Sequence, residues 1–125
     1  MVVNDPTIVA QVRAAFERYE KALVSNDVAV LDELFWDSPH TVRYGAGENL
    51  YGMAQIRAFR AARQVSGLAR TVHASTITTF GTDLATTHIE FARPGARPGR
   101  QSQTWVRLPQ GWRIVAAHVS LMSAP

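Results

Sequence analysis

The chain contains no cysteine, which excludes disulfides, thiol nucleophiles and thiolate metal sites and leaves any chemistry to other side chains. It has one lysine, Lys21, against twelve arginines, so nearly every cation is a guanidinium, the group suited to forked recognition of carboxylate or phosphate. Arginines and turn residues interrupt the apolar stretches before any run of about 20 that could span a bilayer. Met1 to Asp5 lack a cationic leader and Pro6 stands where an apolar run would begin, so a cytoplasmic location with no membrane partner is expected. A basic stripe with interleaved aromatics is also missing. The arginines run from Arg13 to Arg113 with acids between them, and no nucleic-acid partner is expected.

What is present suits one folded unit. With 125 residues, 46% of them hydrophobic and 18% charged, and a formal net charge of +3, the chain reads as a single domain over residues 1–125. A domain of this size buries roughly two-thirds of its unfolded surface, enough for one core and a small pocket.

Asp5-Pro6 starts a helix, a capping side chain followed by proline. Ile8, Val12, Phe16, Tyr19 and Leu23 then recur at spacings of four and three and share one helical face. Ser25-Asn26-Asp27 caps a second, short helix carrying Leu31, Leu34 and Phe35. After the turn Asp37-Ser38-Pro39, His40 to Tyr44 reads as a strand, Gly45-Ala46-Gly47 as a turn and Leu50-Tyr51 as a short strand. Gly52 opens a third helix, with Ile56 and Phe59 inward and Arg57, Arg60 and Arg63 mostly outward, ending near Ser66-Gly67. Thr71 to Phe80, Leu84 to Ala92, Arg100 to Leu108 and Trp112 to Met122 are β-rich, separated by hairpin loops and by the Pro/Gly-rich segment Arg93 to Gly99.

Helices followed by a meander give an α+β fold, a cone-shaped curved antiparallel β-sheet wrapped around three N-terminal helices. In the last strand, parity places Ile114, Ala116, His118 and Ser120 on one face and Val115, Ala117, Val119 and Leu121 on the other, both largely apolar. The helices cover only one face, so a homodimer, with higher assembly left open, is expected to cover the other.

Tyr19 lies on the apolar stripe of the first helix, where its buried hydroxyl needs a partner; by spacing alone it reads first as a packing residue, as aromatic stripes at helical spacing usually are. Arg43 shares a strand face with Thr41 and Gly45. If that face is inward, its charge requires a carboxylate, from a ligand or from a core acid. Arg70, Gln103, His118 and Ser120 are further candidates for substrate binding, polar groups on or beside apolar strands. Gln103 shares its face with Trp105, and Ser120 with His118, which serves equally well as a core or interface histidine. His73, His88 and Glu90 are weaker. No HxH or HExxH spacing marks a metal site and no cofactor is implied. A GxSxG elbow and a phosphate-binding glycine loop are both missing.

The segment Leu50-Tyr51-Gly52 leading into Ile56-Arg57-Ala58-Phe59-Arg60, and the closing Gly111-Trp112-Arg113-Ile114-Val115-Ala116-Ala117-His118-Val119-Ser120, resemble the SnoaL-like, nuclear-transport-factor-2-like superfamily over nearly the whole chain. Phe35-Trp36, Thr41-Val42-Arg43-Tyr44-Gly45, Gly99 to Trp105 and His118 to Met122 resemble its AtzH/HpxZ-like branch. That resemblance implies a metal-free and cofactor-free amidohydrolase in cyanuric acid or ureido nitrogen catabolism, linked functionally to an amidase. The reaction implied is cleavage of a C–N amide bond in a small carboxylated urea, of the type that takes 1,3-dicarboxyurea to allophanate. The branch's catalytic tyrosine and arginine match Tyr19 and Arg43. A guanidinium near a phenol favours the phenolate, a base, whereas a protonated hydroxyl donates to an oxyanion; both roles stay open. The alternatives are a non-catalytic carboxylate-binding or amidase-associated protein and a SnoaL-like isomerase or dehydratase, for which Asp37 and His40 are the nearest acid and histidine.

Overall fold

A computed structural model describes residues 1–64 and 67–123. Helix α1 spans Pro6–Val24, its first turn closed by the Asp5 carboxylate accepting from the Thr7 N–H at 2.9 Å. Ile8, Val12, Phe16, Tyr19 and Leu23 are buried along it, as their spacing predicts. Asn26 turns the chain at a φ of 51°, and Asp27 caps α2 (Val28–Leu34) by accepting from the Val30 N–H. Strands β1 (Val42–Tyr44) and β2 (Asn49–Tyr51) form a hairpin that leads through Gly52 into α3 (Met53–Ala62). Then follow β3 (Thr71–Phe80), β4 (Leu84–Ala92), β5 (Gly99–Leu108) and β6 (Gly111–Leu121).

The element order is the one expected, with three local differences. The first strand is shorter than His40–Tyr44, because Thr41 is held instead by its hydroxyl donating to the Trp36 carbonyl at 2.7 Å. Helix α3 stops at Ala62, before the expected end near Ser66-Gly67; Ser66 lies outside the described residues. Arg60, expected outward, is buried: it pairs with Asp32 at 2.6 Å and its Cζ lies 4.8 Å from the centroid of the Phe35 ring.

One curved, unclosed sheet of six strands has the order β2-β1-β6-β5-β4-β3. Its neighbours are antiparallel except β1 and β6, which run parallel with Arg43 beside Ala117. Helices α1 and α2 pack on the inner face, through β3 and β6 respectively. The core there includes Val12, Leu31, Phe35, Ile56, Phe91, Trp105 and Ile114. No helix is long and apolar enough to cross a membrane among the described residues.

A bulge corrects the face assignment of the last strand. Thr104 pairs with Ala116 but Trp105 pairs with Ile114, so Val115 is the extra residue. An inserted residue shifts the alternation of every side chain beyond it. Trp112, Ile114 and Ala117 are therefore buried inward, while Ala116, His118 and Ser120 belong to the outer face. That face is richer in hydroxyls and rings than expected. One row of register partners across it reads Thr76, His88, Ser102, His118 and Tyr44.

Candidate functional site

A pocket of about 270 Å³ opens on the inner side of the sheet. Helix α1 supplies Tyr19, because the stripe that builds the core carries it inward, where its ring sits 6.4 Å from that of Phe35. Strand β1 supplies Arg43 and the following turn supplies Glu48. Arg63 follows the last turn of α3, Arg70 precedes β3, Arg93 follows β4, and Gln101 comes from β5. Four guanidiniums thus converge on one small space.

Two of the four are held by carboxylates of the chain itself. Arg43 donates from Nη1 to Glu48 Oε1 at 3.0 Å, with its Cζ 5.4 Å from the centroid of Phe59. Gly45 leaves the room this pair needs, since a Cβ there would lie 1.7 Å from Glu48 Oε1. Arg70, almost wholly buried, makes a two-point contact with Glu20 through Nε and Nη2. Its Nη2 also reaches Gln101 Oε1 at 3.2 Å. Phe91 stacks against both Arg70, at 4.4 Å, and Arg93, at 5.1 Å.

The other two guanidiniums are under-satisfied. Among the described residues, Arg63 Nε and Nη2, Arg93 Nε and Gln101 Nε2 are buried with no hydrogen-bond partner. Buried polar atoms normally find partners, and charged ones suffer most without them. Burial first, then the charges of Arg43 and Arg60, holds Arg63 below the ordinary arginine value. Burial first, then the charge of Arg70, does the same for Arg93. All the orphaned atoms are donors, so an acceptor-rich anion would satisfy them together.

Of the residues singled out in the sequence, the structure brings Tyr19, Arg43 and Arg70 into this pocket. Gln103 stands apart from its lining, in a buried chain where Trp105 Nε1 donates to Thr87 Oγ1 and Thr87 Oγ1 donates to Gln103 Oε1, each at 3.1 Å. His118 and Ser120 lie across the sheet. His118 meets Tyr44 edge to face at 5.5 Å and Ser120 accepts from Arg100; the bulge at Val115 is the reason. His88 shares that outer face, hydrogen-bonded to Ser102 at 2.7 Å, as does exposed Glu90. His73 sits exposed at a register shift between Val72 and Ala74. Asp37 pairs with Arg57 on the surface at 3.4 Å and His40 is exposed.

Arg63, Arg93, Gln101, Glu20 and Glu48 were not singled out in the sequence. One of them carried a readable signal: Arg93 continues the inward alternation Thr87, Ile89, Phe91. No cluster of three or more histidine, aspartate or glutamate side chains is arranged for a metal ion among the described residues.

Solved structures share this architecture. A protein of unknown function of the DUF3225 family from Pectobacterium atrosepticum is 63% identical, over 97% of this chain and 95% of its own, with a TM-score of 0.95. A cystatin-like fold protein from Burkholderia xenovorans is 52% identical, over 100% of this chain and 99% of its own, also at 0.95. A nuclear-transport-factor-2-like superfamily protein from Salmonella enterica, 24% identical over 94% of this chain and 93% of its own with a TM-score of 0.77, shares the fold. Comparison with curated proteins finds no match. The AtzH-like family model matches residues 1–125, and the chain belongs to the AtzH-like family.

Proposed function

We propose that the chain hydrolyses a C–N amide bond in a small carboxylated urea, converting a 1,3-dicarboxyurea type of substrate to allophanate and bicarbonate without a metal or cofactor. The observation that carries this reading is Tyr19 in one pocket with Arg43, where guanidiniums outnumber carboxylates. The reaction class is the one the family resemblance implies, and membership of the AtzH-like family supports it.

In the reaction, water adds to the carbon of an N-carboxylate, the C–N bond breaks, and the leaving nitrogen takes up the proton that water gives up. Arg43 binds the carboxylate and draws charge from it, which makes its carbon easier to attack. Tyr19 moves the proton as a base or donates its hydroxyl to the oxyanion that forms. Bicarbonate released from freshly made 1,3-dicarboxyurea, above the spontaneous background, tests the reading.

A carboxylate-binding module without turnover is the second reading, favoured by the orphaned donors of Arg63 and Arg93. Tight binding with no bicarbonate release identifies it. An isomerase or dehydratase draws no support from the pocket, whose lining includes no histidine or aspartate among the described residues.

The proposal extends to assembly as a homodimer. Short side chains and rings on the outer face, among them Ala116, Ser102 and Tyr44, form shallow depressions that no helix covers among the described residues, and a second copy would cover them.

A further inference from the structure

We propose that Glu48 is a positioning residue of the site: folded back over Gly45, its carboxylate holds the Arg43 guanidinium by one nitrogen and leaves the remaining donors to face the substrate's carboxylate. The inference rests on the hydrolytic reading of the pocket and adds a residue to it.

The hairpin of β1 and β2 brings the two residues together. The Gly45 N–H donates to the Glu48 carbonyl at 2.9 Å and closes the turn, which sets Glu48 beside Gly45. The Glu48 side chain lies across that glycine, where an added Cβ would overlap its carboxyl group, and so reaches Arg43 Nη1 at 3.0 Å. The ring of Phe59 supports the same guanidinium, so Arg43 is held between a ring on α3 and a carboxylate on the hairpin.

Two features set this contact apart from a surface ion pair. Glu48 is the only carboxylate lining the pocket among the described residues, and the Arg43 side chain that it holds is 12% exposed, so solvent screens the pair little. Like charges also press on Arg43: burial first, with the Arg43 charge a lesser cause, holds Arg60 and Arg63 below the ordinary arginine value. Without an opposite charge on its own side, Arg43 would be repelled from the end of α3, and with it from Phe59.

The use of donors separates Arg43 from Arg70. Arg70 commits Nε and Nη2 to Glu20, and Nη2 again to Gln101. Among the described residues Arg43 is engaged at Nη1 alone. Its Nε and Nη2, the edge by which Arg70 grips Glu20, are left for the two oxygens of a carboxylate.

The test compares the wild type with Glu48→Gln, Gly45→Ala and the double variant in bicarbonate release from fresh 1,3-dicarboxyurea, each checked for folding by circular dichroism. Gly45→Ala is the sharper probe, because its φ lies outside the left-handed region and the new methyl displaces a flexible carboxyl rather than backbone. Each single variant should raise KM at least about tenfold, the effect of losing a held contact to the substrate's charge. The double variant should be no worse than the poorer single variant, because both act through one contact. Unchanged KM in either single variant, a fall in kcat alone, or additive losses overturns the proposal; an ion pair that only stabilises the fold would lower the melting temperature and leave KM as it is.

A second readout needs no turnover. In heteronuclear NMR at low temperature the Arg43 Nη protons, identified by their absence in Arg43→Lys, should be resolved in the wild type and averaged by rotation in Glu48→Gln and Gly45→Ala. The same pattern in all three proteins overturns the holding role. Failure of the wild type to release bicarbonate overturns the hydrolytic reading alone.

Discussion

The ring of Phe91 fills the space where a side chain at position 99 would stand: a Cβ on Gly99 would lie 2.2 Å from Phe91 Cζ. The paired strands place the two residues opposite each other, and the ring so seated is the surface on which Arg70 and Arg93 rest. A glycine is thus required by the pocket rather than by backbone conformation.

Gly99→Ala therefore tests the support of the site. Strand propensity alone predicts a gain in stability, because glycine is the poorer strand residue. Overpacking against Phe91 predicts instead a loss of about 1–3 kcal/mol, measured by denaturant unfolding, with weaker carboxylate binding as Arg70 and Arg93 lose their shelf. A more stable variant with unchanged binding would remove Phe91 from the account.

Asp32→Asn probes the buried cation beneath the pocket. Burial is the main influence lowering the Arg60 value, and the hydrogen bond to Asp32 is the largest opposing one. Removing that carboxylate leaves the guanidinium without its counter-charge, and unfolding should become easier by about 2 kcal/mol. The double variant Arg60→Met with Asp32→Asn should recover part of the loss, since no unpaired charge remains. Equal losses in the single and double variants would contradict the pairing.

Ser102→Arg tests the second copy. Ser102 is exposed in the middle of the outer face, where a two-fold axis would bring two new charges near each other. Sedimentation velocity should give the wild type about twice the 13.8 kDa of one chain and the variant a single chain. A monomeric wild type would contradict it.

Much of this was legible in the sequence, for physical reasons. Helical stripes and turn residues are repeated signals, so the element order and the inward placement of Tyr19 follow from spacing. Strand parity puts Arg43 on one face with Thr41 and Gly45 without saying which face is inner; the structure turns it into the pocket. The bulge is different: one extra residue at Val115 leaves no mark in composition, yet it sends His118 and Ser120 to the far side of the sheet. Arg60 and Arg63 were expected outward because arginine is seldom buried. The burial of Arg60 and the half-buried, pocket-facing position of Arg63 depend on Asp32, Phe35 and the pocket, which are distant in sequence and meet only in the fold.

The most direct measurement compares the wild type with Tyr19→Phe and Arg43→Ala in bicarbonate release from fresh 1,3-dicarboxyurea, using chelator-treated protein and subtracting the spontaneous rate. The wild type should release bicarbonate well above background. Each variant, still folded by circular dichroism, should lose at least about a hundredfold in rate. Wild-type rates in both variants, or no release by the wild type, would contradict hydrolysis at this pocket.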